Sequence, residues 1–209
     1  MTINLKLVDS DSQIEKKINE AIAKELNKLV NKSSKRVSER IKMALEGWIT
    51  SQPEIASLQS EGVAGELNAQ FGLTMGQGAI ASAEIIQAVL STLEVKIRPI
   101  DSRLRGGVDF NIQPSNFRTL LDLPSGFVVT DSSPLHWLNW LLMEGTKTIV
   151  YGYSYTPDFS GRSGGGTMKK GGVWRIPPQY SGSQQDNFIT RALKGRDKEL
   201  SSILQDVFK

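Results

Sequence analysis

The chain has 209 residues, 39% of them apolar and 22% charged, a balance that fits a compact globular protein and argues against a disordered or membrane-embedded one. Its 25 basic and 22 acidic residues leave a net charge of +3, too even and too interleaved to argue for nucleic acid by itself. With no cysteine and one histidine, His136, disulfides, thiol catalysis, thiolate-held metals and most imidazole chemistry are excluded.

Met1 to Asp9 carry no basic leader followed by an apolar core, and no run of about 18 apolar residues occurs anywhere, which predicts synthesis in the cytoplasm without a membrane anchor. From Asp11 to Thr50, Ile14, Ile18, Ile22, Leu26, Leu29, Val37, Ile41, Leu45 and Trp48 recur at steps of three, four or their multiples, the signature of an amphipathic helix. Ser10 or Ser12 caps its start and Pro53 stops it, giving a rod of roughly 55 to 60 Å that must project or pack on a neighbour. The polar run Asn31–Arg36 leaves a kink as the alternative to an unbroken helix.

Between Gln52 and Gly78, Ile55, Leu58, Val63, Leu67 and Phe71 suggest a short helix or two around turns. Ala79 to Leu93 reads as a helix, giving way to a strand marked by Leu93, Val95 and Ile97; Val108, Phe110 and Ile112 supply its antiparallel partner. Pro134 to Glu144, preceded by the pair Ser132 and Ser133, predicts a buried helix. Thr148 to Tyr155 alternates Ile149, Tyr151, Tyr153 and Tyr155 against Val150 and pairs with a short strand over Gly172–Pro177. The glycine-rich stretch between them, residues 157–171, is a loop that stays flexible unless a partner orders it. Asp186 to Lys209 predicts a terminal helix with Gly195 as its weak point.

These elements give an α+β fold: a small antiparallel sheet flanked by helices, with a long N-terminal amphipathic helix. The expected division is a helical segment over 1–52 and an α+β core over 53–209, which holds the loop 157–171 and the C-terminal helix.

The most tempting catalytic string is Gly161-Arg162-Ser163-Gly164-Gly165, with His136 and Asp158 upstream. Residue types alone do not make a triad, because the base must be held against the serine by an oriented carboxylate. Gly164-Gly165-Gly166-Thr167 before Lys169 and Lys170 imitates a phosphate loop, but the order of its residues is wrong for one. Carboxylate pairs such as Asp109 with Asp122, or Asp131 with Glu144, come from segments whose separation the sequence does not give. No catalytic, cofactor-binding or metal-ligating set emerges. From Phe159 to Gln185, Arg162, Lys169, Lys170 and Arg175 face no acidic residue, which predicts a positive patch with Tyr155, Trp174 and Tyr180 nearby. It suits an interface loop first and DNA contact second.

The run Trp137-Leu-Asn-Trp-Leu-Leu-Met-Glu-Gly-Thr146 is similar to the aromatic-x-x-x-Glu-Phe/Tyr-Gly-Thr segment of phage tail-completion and tail-terminator proteins. That run departs from the pattern at Met143, where an aromatic is usual; Asp186-Asn-Phe-Ile-Thr-Arg-Ala-Leu193 resembles the segment that opens the last helix of that family, with Asn187 and Thr190 where prolines are common. Gly65-Glu66-Leu67 resembles, more faintly, the Thr-Gly-Arg-Leu after its long helix.

The resemblance implies a non-enzymatic structural protein of a tailed-bacteriophage virion, made in the host cytoplasm. It would form a homo-oligomeric ring, expected as a hexamer, in the neck that ends the tail and joins it to the head. Its partners would be itself, neighbouring neck proteins and tail-tube or sheath proteins, with genomic DNA passing through the lumen without specific binding. A head–tail adaptor or another tail layer is the alternative, and a DNA-binding virion protein a more distant one. Candidate subunit-interface residues are Trp137, Trp140, Glu144, Tyr151, Tyr153, Arg162, Lys169, Lys170, Trp174 and Phe188.

Overall fold

The computed structural model describes residues 9–112, 116–129 and 134–208. Residues 1–8, Asp131, Ser132 and Ser133, which figure in the expectations above, lie outside the described residues, as does Lys209. The fold is α+β, with three separate two-stranded antiparallel sheets among the described residues where a single one was expected.

The chain divides into two compact units: Met1–Ile41, Glu94–Asn111 and Asp197–Lys209 form the first, Lys42–Leu93 and Ile112–Arg196 the second. This differs from a division at residue 52. The first helix cannot bury its apolar side alone, so its earlier turns group with a hairpin and the C-terminal helix, and its last turns join the core of the second unit.

Helix α1 runs unbroken over Asp11–Thr50, with no break at Asn31–Arg36. Ser10 caps it reciprocally with Gln13: the Gln13 backbone N–H donates to Ser10 Oγ at 3.4 Å, and the Ser10 N–H donates to Gln13 Oε1 at 2.9 Å. Its apolar stripe winds around the rod. Each step of four residues advances about 40° beyond a full turn, so Val37, Ile41, Leu45 and Trp48 are buried whereas Ile18, Ile22, Leu26 and Leu29 are exposed on another face.

In the first unit, α1 meets strands β1 (Glu94–Arg98) and β2 (Gly107–Asn111), which pair antiparallel as expected. The Asn27 side chain donates to the Ile100 carbonyl at 2.9 Å and accepts from the Ile100 N–H at 2.8 Å, holding the turn after β1 to the helix. Asp101 ties off that turn by accepting from the N–H groups of Arg103 and Arg105, and these bonds, Arg105's first, hold its carboxyl below the usual range. A 410 Å³ depression is lined by Val30, Ile100, Leu104, Val108, Leu204 and Phe208.

The second unit carries most of the core. The last turns of α1 join α2 (Pro53–Gln59), α3 (Leu67–Gln70) and α4 (Gln77–Ser91), with Leu45, Ile49, Ile55, Leu58, Leu67, Ile85 and Val89 essentially without exposure. After α5 (Arg118–Leu121), the two-residue strands β3 (Val128–Val129) and β4 (Pro134–Leu135) pair and lead to α6 (Trp137–Leu142). The helix expected from Pro134 therefore starts three residues later. Pairing with β3 keeps Pro134 and Leu135 extended, and His136 then stacks on Phe127 with ring centroids 4.0 Å apart.

Strands β5 (Val150–Pro157) and β6 (Gly166–Trp174) make the largest sheet, and α7 (Phe188–Leu193) and α8 (Asp197–Phe208) end the chain. The single terminal helix is thus split: Lys194 is extended and Gly195 takes a left-handed φ of +75°. Its two halves belong to different units.

Candidate assembly surface

The hairpin β5–β6 overturns the expectation of a long free loop. Its register runs from Val150 opposite Trp174 to Pro157 opposite Gly166, so the connection shrinks to residues 158–165. Between Tyr151 and Tyr153 the register shifts where Gly152 faces Gly171 and Gly172, all three at positive φ. That bulge breaks the simple alternation expected of the tyrosines.

The connection is held by its own unit. Tyr155 Oη accepts from the Gly65 N–H at 3.0 Å and donates to the Gly165 carbonyl at 2.7 Å. Burial pushes the Tyr155 phenol above its ordinary pKa, against the pull of the Gly65 bond. Arg162 Nε donates to the Gly72 carbonyl at 2.9 Å and Ser163 Oγ to the Ala69 carbonyl at 3.2 Å. Asp158 accepts from the Ser160 hydroxyl and N–H and from Thr167, and the Ser160 hydroxyl is the chief cause of a lowered carboxyl pKa. The residues of the supposed triad are therefore committed elsewhere: Ser163 to a backbone carbonyl, Asp158 to its own turn, and His136 to the Phe127 ring.

A groove of 580 Å³ lies beside the hairpin, lined in part by Phe71, Leu135, Ile149, Tyr153 and Met168, with Arg162 also contributing. A second, of 460 Å³, is lined by Leu73, Ile80, Phe127 and Val129 and shares Arg162 and Val128 with the first. The same unit exposes large apolar side chains on β3, β5 and the hairpin connection: Val129 is 77% exposed, Tyr151 78% and Phe159 90%. Exposed apolar side chains beside apolar grooves suit a protein contact.

Of the residues expected at a subunit interface, Tyr151, Tyr153, Arg162, Lys169 and Lys170 are exposed on this hairpin and its connection. Trp140 and Glu144 are half-buried beside it in sequence; the Trp140 indole N–H has no hydrogen-bond partner, and Glu144 is paired with Lys147. Trp137, Trp174 and Phe188 are corrected to core residues, exposed by 0%, 4% and 0%. Phe71 explains two of these burials, stacking on Trp137 at 4.9 Å and meeting Trp174 edge-on at 6.2 Å. Phe127, Val129, Phe159 and Met168 went unnoticed in the sequence, where only the bulge glycines and a short polar turn hinted that their neighbourhood is surface.

The segments that carry the family resemblance meet in space. The Gly145 N–H donates to the Gly182 carbonyl at 2.8 Å, the Gly182 N–H to the Trp140 carbonyl at 3.3 Å, and the Asn187 side-chain amide to the Leu142 carbonyl at 3.2 Å. Asn187 and Thr190, where the family commonly has prolines, form a capping box that opens α7. Glu66, in the third segment, accepts from Ser57 and from Tyr180.

No family model, curated protein or solved structure matches the chain. Among the described residues no helix is long and apolar enough to cross a membrane, and no group of His, Asp and Glu is placed to hold a metal ion.

Proposed function

We propose that this chain is a structural subunit of a tailed-phage virion, forming a ring in the neck that completes or terminates the tail. The observation that carries the reading is the convergence of the two resembling segments, Trp137–Thr146 and Asp186–Leu193, which are joined by the Asn187 side chain and bridged by backbone bonds from the first to Gly182, next to an apolar hairpin surface. A subunit whose work is to be gripped by neighbours needs a rigid platform and an exposed contact face, and no chemistry at either.

The hairpin supplies the contact face through Tyr151, Tyr153 and the grooves beside them. Exposed Lys169, Lys170 and Arg175 provide positive charge suited to a surface past which DNA moves without its sequence being read. An adaptor in a neighbouring layer of the neck would use the same features.

Cryo-electron microscopy of intact particles tests the proposal. The expected result is density for this chain as a ring at the upper end of the tail, with the β5–β6 hairpin at a subunit boundary. Absence of the chain from purified virions would overturn it.

A further inference from the structure

The first half of α1 carries an apolar stripe that the described residues of its own unit leave exposed. Ile18, Ile22, Leu26 and Leu29 are 53%, 42%, 36% and 43% exposed. The hairpin grips the helix elsewhere: Asn27 bonds Ile100, and Ala23, Val37 and Ile41 are buried, on an arc about 110° round from the stripe at 3.6 residues per turn.

Charge is arranged along the stripe, not only beside it. Asp11, Glu15, Ile18, Ile22, Leu29 and Arg36 fall within about 60° of one another around the helix, and Lys32 and Leu26 flank them. Read from the N-terminus, the exposed face is acidic, then apolar with Glu25 at its edge paired to Lys28, then basic. Acidic residues in a first turn are accounted for by the helix dipole. The basic end is not, because Lys32 and Arg36 lie in mid-helix, well short of Thr50.

The charged ends of this pattern complement each other when it is reversed. About the midpoint between Ala23 and Lys24, Ile18 is the mirror position of Leu29, Glu15 of Lys32, and Asp11 of Arg36, while Ile22 mirrors Glu25 and Leu26 mirrors Ala21. We propose that two copies of this chain pair antiparallel through this face of α1, apolar centre on apolar centre, with each acidic end against the other copy's basic end. A parallel pair would set Asp11, Glu15 and Arg36 against their own copies, which like-charge repulsion disfavours. Such a two-fold contact is satisfied by two copies and does not propagate around a ring. It is therefore a property of the free chain and independent of the neck reading.

The test uses the purified full chain, whose lack of cysteine makes introduced thiols unambiguous. Sedimentation from low to high micromolar should show a dimer, and Ile22→Lys should abolish it with the far-ultraviolet circular dichroism unchanged. Glu15→Lys should weaken dimerisation about tenfold, since a dimer contains each pair twice, and adding Lys32→Glu should restore it. On mild oxidation, Glu15→Cys mixed with Lys32→Cys should give a crosslinked heterodimer in preference to either homodimer. A strict monomer, a dimer indifferent to Ile22→Lys, or crosslinking dominated by Glu15→Cys with itself would overturn the pairing. None of these outcomes bears on whether the chain is found in particles.

Discussion

Glu54 on α2 is fully buried, yet only one of its carboxylate oxygens has a partner: Arg191 donates to Oε1, while Oε2 has no hydrogen bond. Arg191 is shared with Asp186 at 3.1 Å. Burial raises the Glu54 carboxyl above its ordinary value of 4.5, and its own backbone N–H and then Arg191 pull it only part of the way back. Because the folded state holds this proton more tightly than the unfolded one, the group's contribution to stability falls as pH rises from about 4.5 through the folded value. Glu54→Gln should therefore gain on the wild type as pH climbs towards neutrality, read by denaturant titration at several pH values; parallel curves would sink the argument. Arg191→Met strands the carboxylate and should cost about 3–5 kcal/mol at neutral pH, less in acid. None of this is legible in the sequence, which does not say that residues 54 and 191 touch. Nor do residue types say which aromatics are exposed. Tyr151 and Tyr153 belong to a surface hairpin, whereas Trp137, Trp174 and Phe188 have the same apolar character but are enclosed, two of them by contact with Phe71.

Elements were legible where periodicity is long and failed where tertiary contacts set the ends. Helix α1 was read to its bounds, and β1 with β2 from their alternation, because pattern alone selects those conformations. The strand β6 was hidden by glycines, which weaken a strand on their own but here fit a bulge and a hydrogen-bonded partner strand. Helix α7 shows how locally a boundary can be fixed. The Asn187 side chain accepts from the N–H groups of Ile189 and Thr190, while its amide donates to the Leu142 and Ser183 carbonyls. Asn187→Ala should thus lower stability by about 1–3 kcal/mol, the cost of a lost cap together with a buried carbonyl left short of a donor. Gly182→Ala should be worse, since a Cβ there would stand 1.8 Å from the Leu141 carbonyl oxygen and force apart the junction of the two resembling segments. Melting temperatures of both variants check these expectations, and a Gly182→Ala protein as stable as the wild type would show that the junction yields easily.

At the scale of the whole chain, the two units are unequally built. Among the described residues, buried apolar side chains in the first are few, Ala23, Val37, Ile41 and Val207, and they come from two helices far apart in sequence. The second encloses the stacked aromatics and the helices α2, α4, α6 and α7, so most of the hydrophobic stabilisation resides there. Closing the first unit also requires segments from both ends and the middle of the chain to meet, an entropic cost its thin core offsets poorly. It should melt first. The sequence supplies the means to see this, because all four tryptophans, Trp48, Trp137, Trp140 and Trp174, lie in the second unit, while most of α1 and all of α8 lie in the first. In a urea titration, helical circular dichroism should begin to fall before tryptophan fluorescence changes, and removing residues 197–209 should leave the fluorescence transition near its original midpoint. Coincident transitions for the two probes would instead mean that the units unfold as one cooperative body, with the first drawing its stability from the second.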